Sequence, residues 1–213
     1  MIAISSDNKV LLRDTRREQL LAVAVERFAK YGYHSTKISD IVAQAGVAQG
    51  TFYWYFKSKE AIALEIIRVG REGLLMVIER GYPTQNGSVQ IMVQGSQRLL
   101  KDIFQFGQEN RYFMELLLTE GGADETIRQG VRDTRIAMEE AFRRNIERAI
   151  EFGMLPKSSD MHMRAALLMS LIEGVMARWL FGPVHPESDL AQRSAEQLAA
   201  ETVQFEFFGL LGI

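Results

Sequence analysis

At 213 residues, 47% hydrophobic and 24% charged with only 4 Pro, the chain carries enough apolar mass for a well-buried core and too much for a disordered polypeptide. Zero Cys excludes disulfides, thiolate-ligated zinc and cysteine nucleophiles together, and three dispersed His are poor material for a metal site. The formal charge of −2 hides an asymmetry: up to Lys59, nine Lys/Arg stand against five acids, a net of +4, which leaves −6 for residues 60–213.

A basic segment on an acidic body suggests a polyanion bound at the N-terminal end, with ordinary surface scatter of charge as the competing explanation. No uninterrupted apolar run reaches the roughly 20 residues of a membrane span, the longest candidate, Ala165 to Phe181, being broken by Glu173 and Arg178. The opening stretch MIAISSDNKVLLRD lacks the cationic region leading into a long apolar segment that marks a secretory signal. A cytoplasmic protein without membrane association is therefore expected.

Taken in chain order, nearly every segment has helical periodicity. From Thr15, the positions Leu20, Leu21, Ala24, Val25 and Phe28 recur at three- and four-residue spacing and stop at Gly32, which predicts a first helix. Thr36 is placed to N-cap a short second helix carrying Ile38, Ile41 and Val42, ending at Ala45-Gly46-Val47. A third helix begins near Ala48, without a capping hydroxyl, and runs through the aromatic block Phe52-Tyr53-Trp54-Tyr55-Phe56; Ser58 caps a fourth, from Lys59 to about Arg80.

Turn chemistry at Gly81 to Gly87 precedes helices predicted over Val89–Phe106 and Arg111–Leu118, and Gly121-Gly122 breaks the chain again. Asp124 to Phe152 reads as a long amphipathic helix closed by Gly153. Asp160 caps Met161–Phe181, apolar nearly all round, and Ser188 caps a last helix to about Phe208. The expected fold is all-α, with about nine helices and no strand alternation or nucleotide-binding glycine loop.

Two short helices joined by Ala45-Gly46-Val47 fit a helix-turn-helix, Gly46 permitting the tight turn. On the third helix, Phe52 and Phe56 are four residues apart and share a face, so they form a core pair. Successive residues turn by about 100°, which sends Trp54 away from that pair, flanked by Tyr53 and Tyr55, with Gly50 on the same outer side. Outward aromatics beside Lys37, Lys57 and Lys59 suit a DNA duplex, since tyrosine hydroxyls and ammonium groups bond phosphates while the helix enters the major groove; packing of all five aromatics in a core at a domain junction is the competing explanation. Gly50 admits a close backbone approach, and the start of the fourth helix offers a further phosphate position.

The stretch TKISDIVAQAGVAQGTFYWYFKSKE (Thr36 to Glu60), preceded by Phe28-Ala29-Lys30-Tyr31-Gly32-Tyr33, resembles the TetR family of transcriptional regulators. The likeness covers about the first quarter of the chain. It implies a three-helix DNA-binding domain with its N-terminal arm over residues 1–58 and an effector-binding and dimerisation domain over residues 59–213. It implies phosphate contacts at Thr36 and Lys37, groove-facing positions at Gln49, Gly50, Thr51, Tyr53 and Trp54, and further backbone contacts at Tyr55 and Lys59. Two positions depart from the usual pattern: Ala48 stands where Ser is frequent, removing a phosphate contact, and Gln49 where Lys is frequent, exchanging a charge for a group able to pair with adenine.

For the larger body, the resemblance implies a small-molecule effector of unknown identity and a homodimer on a double-stranded DNA operator. The segment MRAALLMSLIEGVMARWLF alternates bulky groups with small ones, so Ala166, Ser170, Gly174 and Ala177, with Leu198, Thr202 and Phe205 of the last helix, suit a four-helix interface; burial within one subunit is the competing explanation. Phe104, Tyr112, Phe113, Met114, Phe142, Met169 and Trp179 form an aromatic and methionine-rich set suited to an adaptable pocket, and core packing accounts for them as well. Glu115, Glu173 and Arg178 are candidate polar anchors for it, although exposed or inter-subunit salt bridges account for them better. No cofactor or metal is expected, and no local catalytic signature favours an enzyme. A DNA-binding structural or protein-recruiting factor without an inducer is the alternative.

Overall fold

The computed structural model describes residues 6–81, 89–119, 125–157 and 160–210. Among them run nine α-helices, α1 (Ser6–Tyr31), α2 (Ile38–Ala45), α3 (Gln49–Tyr55), α4 (Lys59–Glu79), α5 (Val89–Glu109), α6 (Arg111–Leu118), α7 (Glu125–Glu151), α8 (Met161–Phe181) and α9 (Ala195–Phe208), with a 3-10 turn at Leu190–Gln192 and no strand. The all-α architecture is that expected from the periodicity. No helix among the described residues is long and apolar enough to cross a membrane. The turns expected at Tyr82–Gly87 and at Gly121-Gly122 lie outside the described residues.

Helix starts follow the capping residues, with two corrections. Ser58 Oγ accepts from the Ala61 N–H at 3.1 Å and Asp160 Oδ1 from the Met163 N–H at 2.8 Å, so α4 and α8 begin where their caps predict. Thr36, however, is not the cap of α2. Lys37 occupies that position, and Asp40 Oδ2 accepts its backbone N–H at 2.9 Å. Ser188 does not open the last helix either. Its hydroxyl accepts from Leu190 N–H ahead of the 3-10 turn, while Ser194 and Gln197 satisfy each other's backbone N–H groups in a capping box that starts α9. α1 begins at Ser6, nine residues before the apolar stripe expected from Thr15.

The described residues divide into two compact units, one within Met1–Arg68 and Gly122–Gly130, the other within Val69–Gly121 and Val131–Ile213. The first unit thus takes in the opening turns of α4. Its core is built from Leu20, Ala24 and Phe28 of α1, one turn apart, with Ile41, Phe52, Phe56 and Ile62. In the second unit α5 packs along α9, and α8 packs on α5, α6 and α9. Helix backbones come close there: a Cβ on Gly70 would lie 2.3 Å from the Phe113 ring, and one on Gly107 would lie 2.5 Å from Met176 Sδ.

An ionic cluster ties α1 to α4 within the first unit. Arg17 donates to Glu65 Oε1, and Arg68 donates to both carboxylate oxygens at 2.8 and 2.9 Å. These bonds, Arg68 foremost, hold the Glu65 carboxyl down at about 2, against an ordinary value of 4.5 and against the opposing effect of burial. A group so depressed stabilises the fold above its unfolded pKa and ceases to do so as pH falls through the folded one. Glu65→Gln should therefore lower the melting temperature at neutral pH, and the gap to the parent protein should close between about pH 4.5 and 2. Thermal melts across that range check it; a gap of constant size would assign the loss to packing.

Candidate nucleic-acid interface and ligand cavity

The two helices of the candidate interface are too short to persist alone, so tertiary contacts set them. α2 buries Ile41, Val42 and Ala45. It ends at Gly46, whose φ of 63° is the left-handed conformation that side-chain-bearing residues seldom adopt. The Gly46 N–H reaches the Ala43 carbonyl at 3.2 Å and the Val47 N–H the Val42 carbonyl at 3.0 Å, closing the turn. Gln19 Nε2 donates to the Ala45 carbonyl from α1, and Gln44 links to Arg27 and Glu26 on the same helix. These linkers orient α2, and no local sequence signal identifies them.

α3 has the phase its spacing requires. Phe52 is 0% exposed, Phe56 is buried, and their rings lie 5.8 Å apart. Trp54 is 63% exposed and Tyr53 half exposed. Gln49 and Gly50 are also exposed, Thr51 and Tyr55 are half-buried, and Trp54 lies against Tyr55 with centroids 5.5 Å apart. Lys37 and Lys57 are exposed beside this surface in sequence, at the start of α2 and after α3. Gln49, Gly50, Tyr53 and Trp54 thus form one outward face, flanked by Thr51 and Tyr55.

Two residues expected on this face have other work. Thr36 is 1% exposed, and its hydroxyl donates to the Gly32 carbonyl at 2.9 Å, so it anchors the end of α1 instead of facing an external phosphate. The Lys59 ammonium donates to the carbonyls of Tyr33, Thr36 and His34 at 2.7, 3.0 and 3.3 Å and sits 4.4 Å from the Tyr33 ring centroid. Its three donors are taken up, and burial lowers its pKa. It staples the segment between α1 and α2 onto the start of α4. Lys57 is the exposed cation at this corner.

In the second unit, the residues expected to form a dimer face divide. Leu198 and Thr202 are 2% and 4% exposed and belong to the subunit's own core, on the helix that packs along α5. Ser170 and Gly174 of α8 are exposed, Ala166 and Ala177 half-buried, and Phe205 is 43% exposed. Met163 and Leu167 add large apolar surface to the same outward side of α8.

The expected pocket residues lie in the interior. Phe104, Tyr112, Phe113, Met114, Phe142, Met169 and Trp179 are all buried, Phe104 meeting Trp179 edge-on at 6.1 Å. None of them lines the cavity of about 540 Å³ that opens among α5, α7, α8 and α9. Its wall includes Met92, Ile146, Leu155, Leu168, Phe205 and Phe207, with Glu206 and Arg164 as its charged groups. Of the candidate anchors, Glu115 and Arg178 are exposed, and Glu173 pairs with Arg135 at 3.4 Å.

The geometry separates core from surface on α3 experimentally. Phe52→Ala should cost about 3–5 kcal/mol through the cavity it leaves, whereas Trp54→Ala should fall within about 0.5 kcal/mol of the parent. Lys59→Met should destabilise the first unit and speed amide exchange over residues 33–36. Urea unfolding and hydrogen exchange check all three; equal losses for Phe52→Ala and Trp54→Ala would show α3 to be rotated.

Residues 20–66 match the family model described as bacterial regulatory proteins, tetR family. Over 200 residues the chain is 29% identical to the HTH-type transcriptional regulator YdgC of Bacillus subtilis (strain 168), covering 92% of each. It is 28% identical over 149 residues to the fatty acid metabolism regulator protein of the same organism, covering 58% of this chain and 76% of that one. Among solved structures, the transcriptional regulator FadR from Bacillus subtilis in complex with stearoyl-CoA superposes with a TM-score of 0.67 at 20% identity, over 91% of this chain and 98% of that one. Residues 20–66, which hold the helix-turn-helix and its outward aromatic face, thus match the tetR family of bacterial regulatory proteins, and over most of its length the chain is similar to a transcriptional regulator.

Proposed function

We propose that this chain is a ligand-responsive repressor that works in the cytoplasm, binds a palindromic operator as a homodimer and is released by a small, largely apolar effector. Residues 1–58 carry DNA binding and residues 59–213 effector binding and dimerisation. The observation that carries the reading is the face of α3, where Gln49, Gly50, Tyr53 and Trp54 point outward while Phe52 and Phe56 hold the helix to its core. Gln49 can form a bidentate pair with adenine, Tyr53 and Trp54 meet sugar, phosphate or thymine methyl, and Lys37, Lys57 and Tyr55 position the backbone.

The exposed apolar and small side of α8, with Phe205 of α9, supports pairing with a second copy. A dimer presents two α3 helices to successive major grooves roughly 34–36 Å apart. The cavity among α5, α7, α8 and α9 is the space assigned to the effector. Its mainly apolar wall, and the stearoyl-CoA held by the structural neighbour from Bacillus subtilis, support an effector with an apolar body.

α4 offers the route of communication, since it contributes to both units. Gly70 and Gly73 receive the Phe113 and Phe106 rings, so a shift of α5 or α6 acts directly on α4. An effector moving the equilibrium from 1:99 to 99:1 needs about 5.5 kcal/mol of preference for the DNA-incompetent state, and operator DNA must weaken its binding by the same factor.

Selection of a duplex from random sequence, followed by titration, tests the reading. Binding should fall with salt at a log–log slope near −0.9 per neutralised phosphate. Gln49→Ala should cost about 1–3 kcal/mol on the selected duplex and little on random DNA. An equal loss on both would remove Gln49 from base reading. An effector that binds the chain with the same affinity in the presence and absence of operator would favour a DNA-binding factor without an inducer.

A further inference from the structure

The cavity among α5, α7, α8 and α9 contains a group that its carbon walls do not explain. Glu206 of α9 stands among Met92, Leu155, Leu168, Phe205 and Phe207. Fully buried Ser96 of α5 donates to Glu206 Oε2 at 2.9 Å and is its hydrogen-bond partner among the described residues. A carboxylate has about four acceptor sites, and Ser96 fills one of them, leaving the others of this half-buried group available at the cavity wall. Burial, the larger influence, pushes the Glu206 carboxyl up to about 7 although the Ser96 bond acts the other way. Arg164, the other charged group of the wall, donates to the Pro156 carbonyl at 3.2 Å, which ties its guanidinium to the 155–156 bend.

An apolar space ending on an under-compensated carboxyl is complementary to an amphiphile with one cationic nitrogen. The volume of about 540 Å³ lies within the roughly 300–1,000 Å³ of small-molecule sites. We propose that this cavity binds an aliphatic primary amine, its ammonium bonded to Glu206 and its carbon chain laid against Met92, Leu168, Phe205 and Phe207. The proposal rests on the reading of the second unit as effector-binding and names the effector's chemical class. An adjacent cation favours the charged carboxylate, so binding near neutrality displaces the proton that Glu206 holds, and affinity falls as pH drops below about 7. An alcohol of equal length lacks the charge, and a fatty carboxylate presents Glu206 with a like one.

Calorimetric titration of the full chain with octylamine, 1-octanol and octanoate tests the proposal. Octylamine should bind at least about tenfold more tightly than the other two and release protons to the buffer. Glu206→Gln, whose amide oxygen still accepts from Ser96, should erase that preference while octanol binding persists. Leu168→Trp should fill the cavity and abolish binding of all three. Octylamine binding that survives either substitution unchanged, or no preference for it over octanol, overturns the proposal. Operator binding by the same preparations separates the two readings. A neutral or anionic effector that displaces DNA would overturn the amine proposal and leave the repressor reading standing, whereas DNA that no effector of any class displaces would overturn the repressor reading.

Discussion

A helix of seven residues has no independent stability in water, and α3 exists because Phe52 and Phe56 are taken into a core supplied by α1, α2 and α4. That pair is the constraint on which the candidate interface depends. Once two rings at four-residue spacing face inward, helix geometry leaves Trp54 and Gly50 no direction but outward. The exposure of a large tryptophan, costly on an ordinary surface, is the consequence of anchoring the helix from its other side. The core contacts and the exposed face are thus drawn from alternate residues of one short segment.

The supports around this helix are polar and non-local. Lys59 collects three carbonyls from the segment between α1 and α2, groups that no helix or strand would otherwise satisfy. Thr36 turns its hydroxyl to the end of α1, and Asp40 takes the Lys37 N–H at the start of α2. Each bond is modest, but together they define where α2 begins. A cation used in this way is not free to meet a phosphate, whereas Lys37 and Lys57 are exposed.

The second unit shows the opposite balance. Glycines at 70, 73 and 107 let rings and thioethers of neighbouring helices approach backbone directly, and the aromatic side chains fill the space they reach. A cavity lies where α5, α7, α8 and α9 bring together aliphatic groups and two phenylalanines around Glu206. Glu206 is half-buried and held by the Ser96 hydroxyl, with no ion-pair partner among the described residues, which sets this group apart from the paired carboxylates at Glu65 and Glu173.

Local periodicity by itself determined the all-α fold, the bounds of α6 and α8, the turn at Gly46 and the inward and outward residues of α3, because each depends on the rotation per residue and on caps within a few positions. Tertiary structure alone decided what that spacing cannot express. Thr36 and Lys59 carry residue types suited to phosphate, yet their partners are carbonyls brought near by the fold. Leu198 and Thr202 have the pattern of an interface and are covered by their own subunit. Phe104, Phe142 and Trp179 are chemically fit to line a pocket, but whether an apolar residue faces carbon or empty space depends on how neighbouring helices cross. Glu206 lies seven residues from the chain's end, and no neighbour in sequence marks it; its carboxyl acquires meaning only when α5 carries Ser96 across to it.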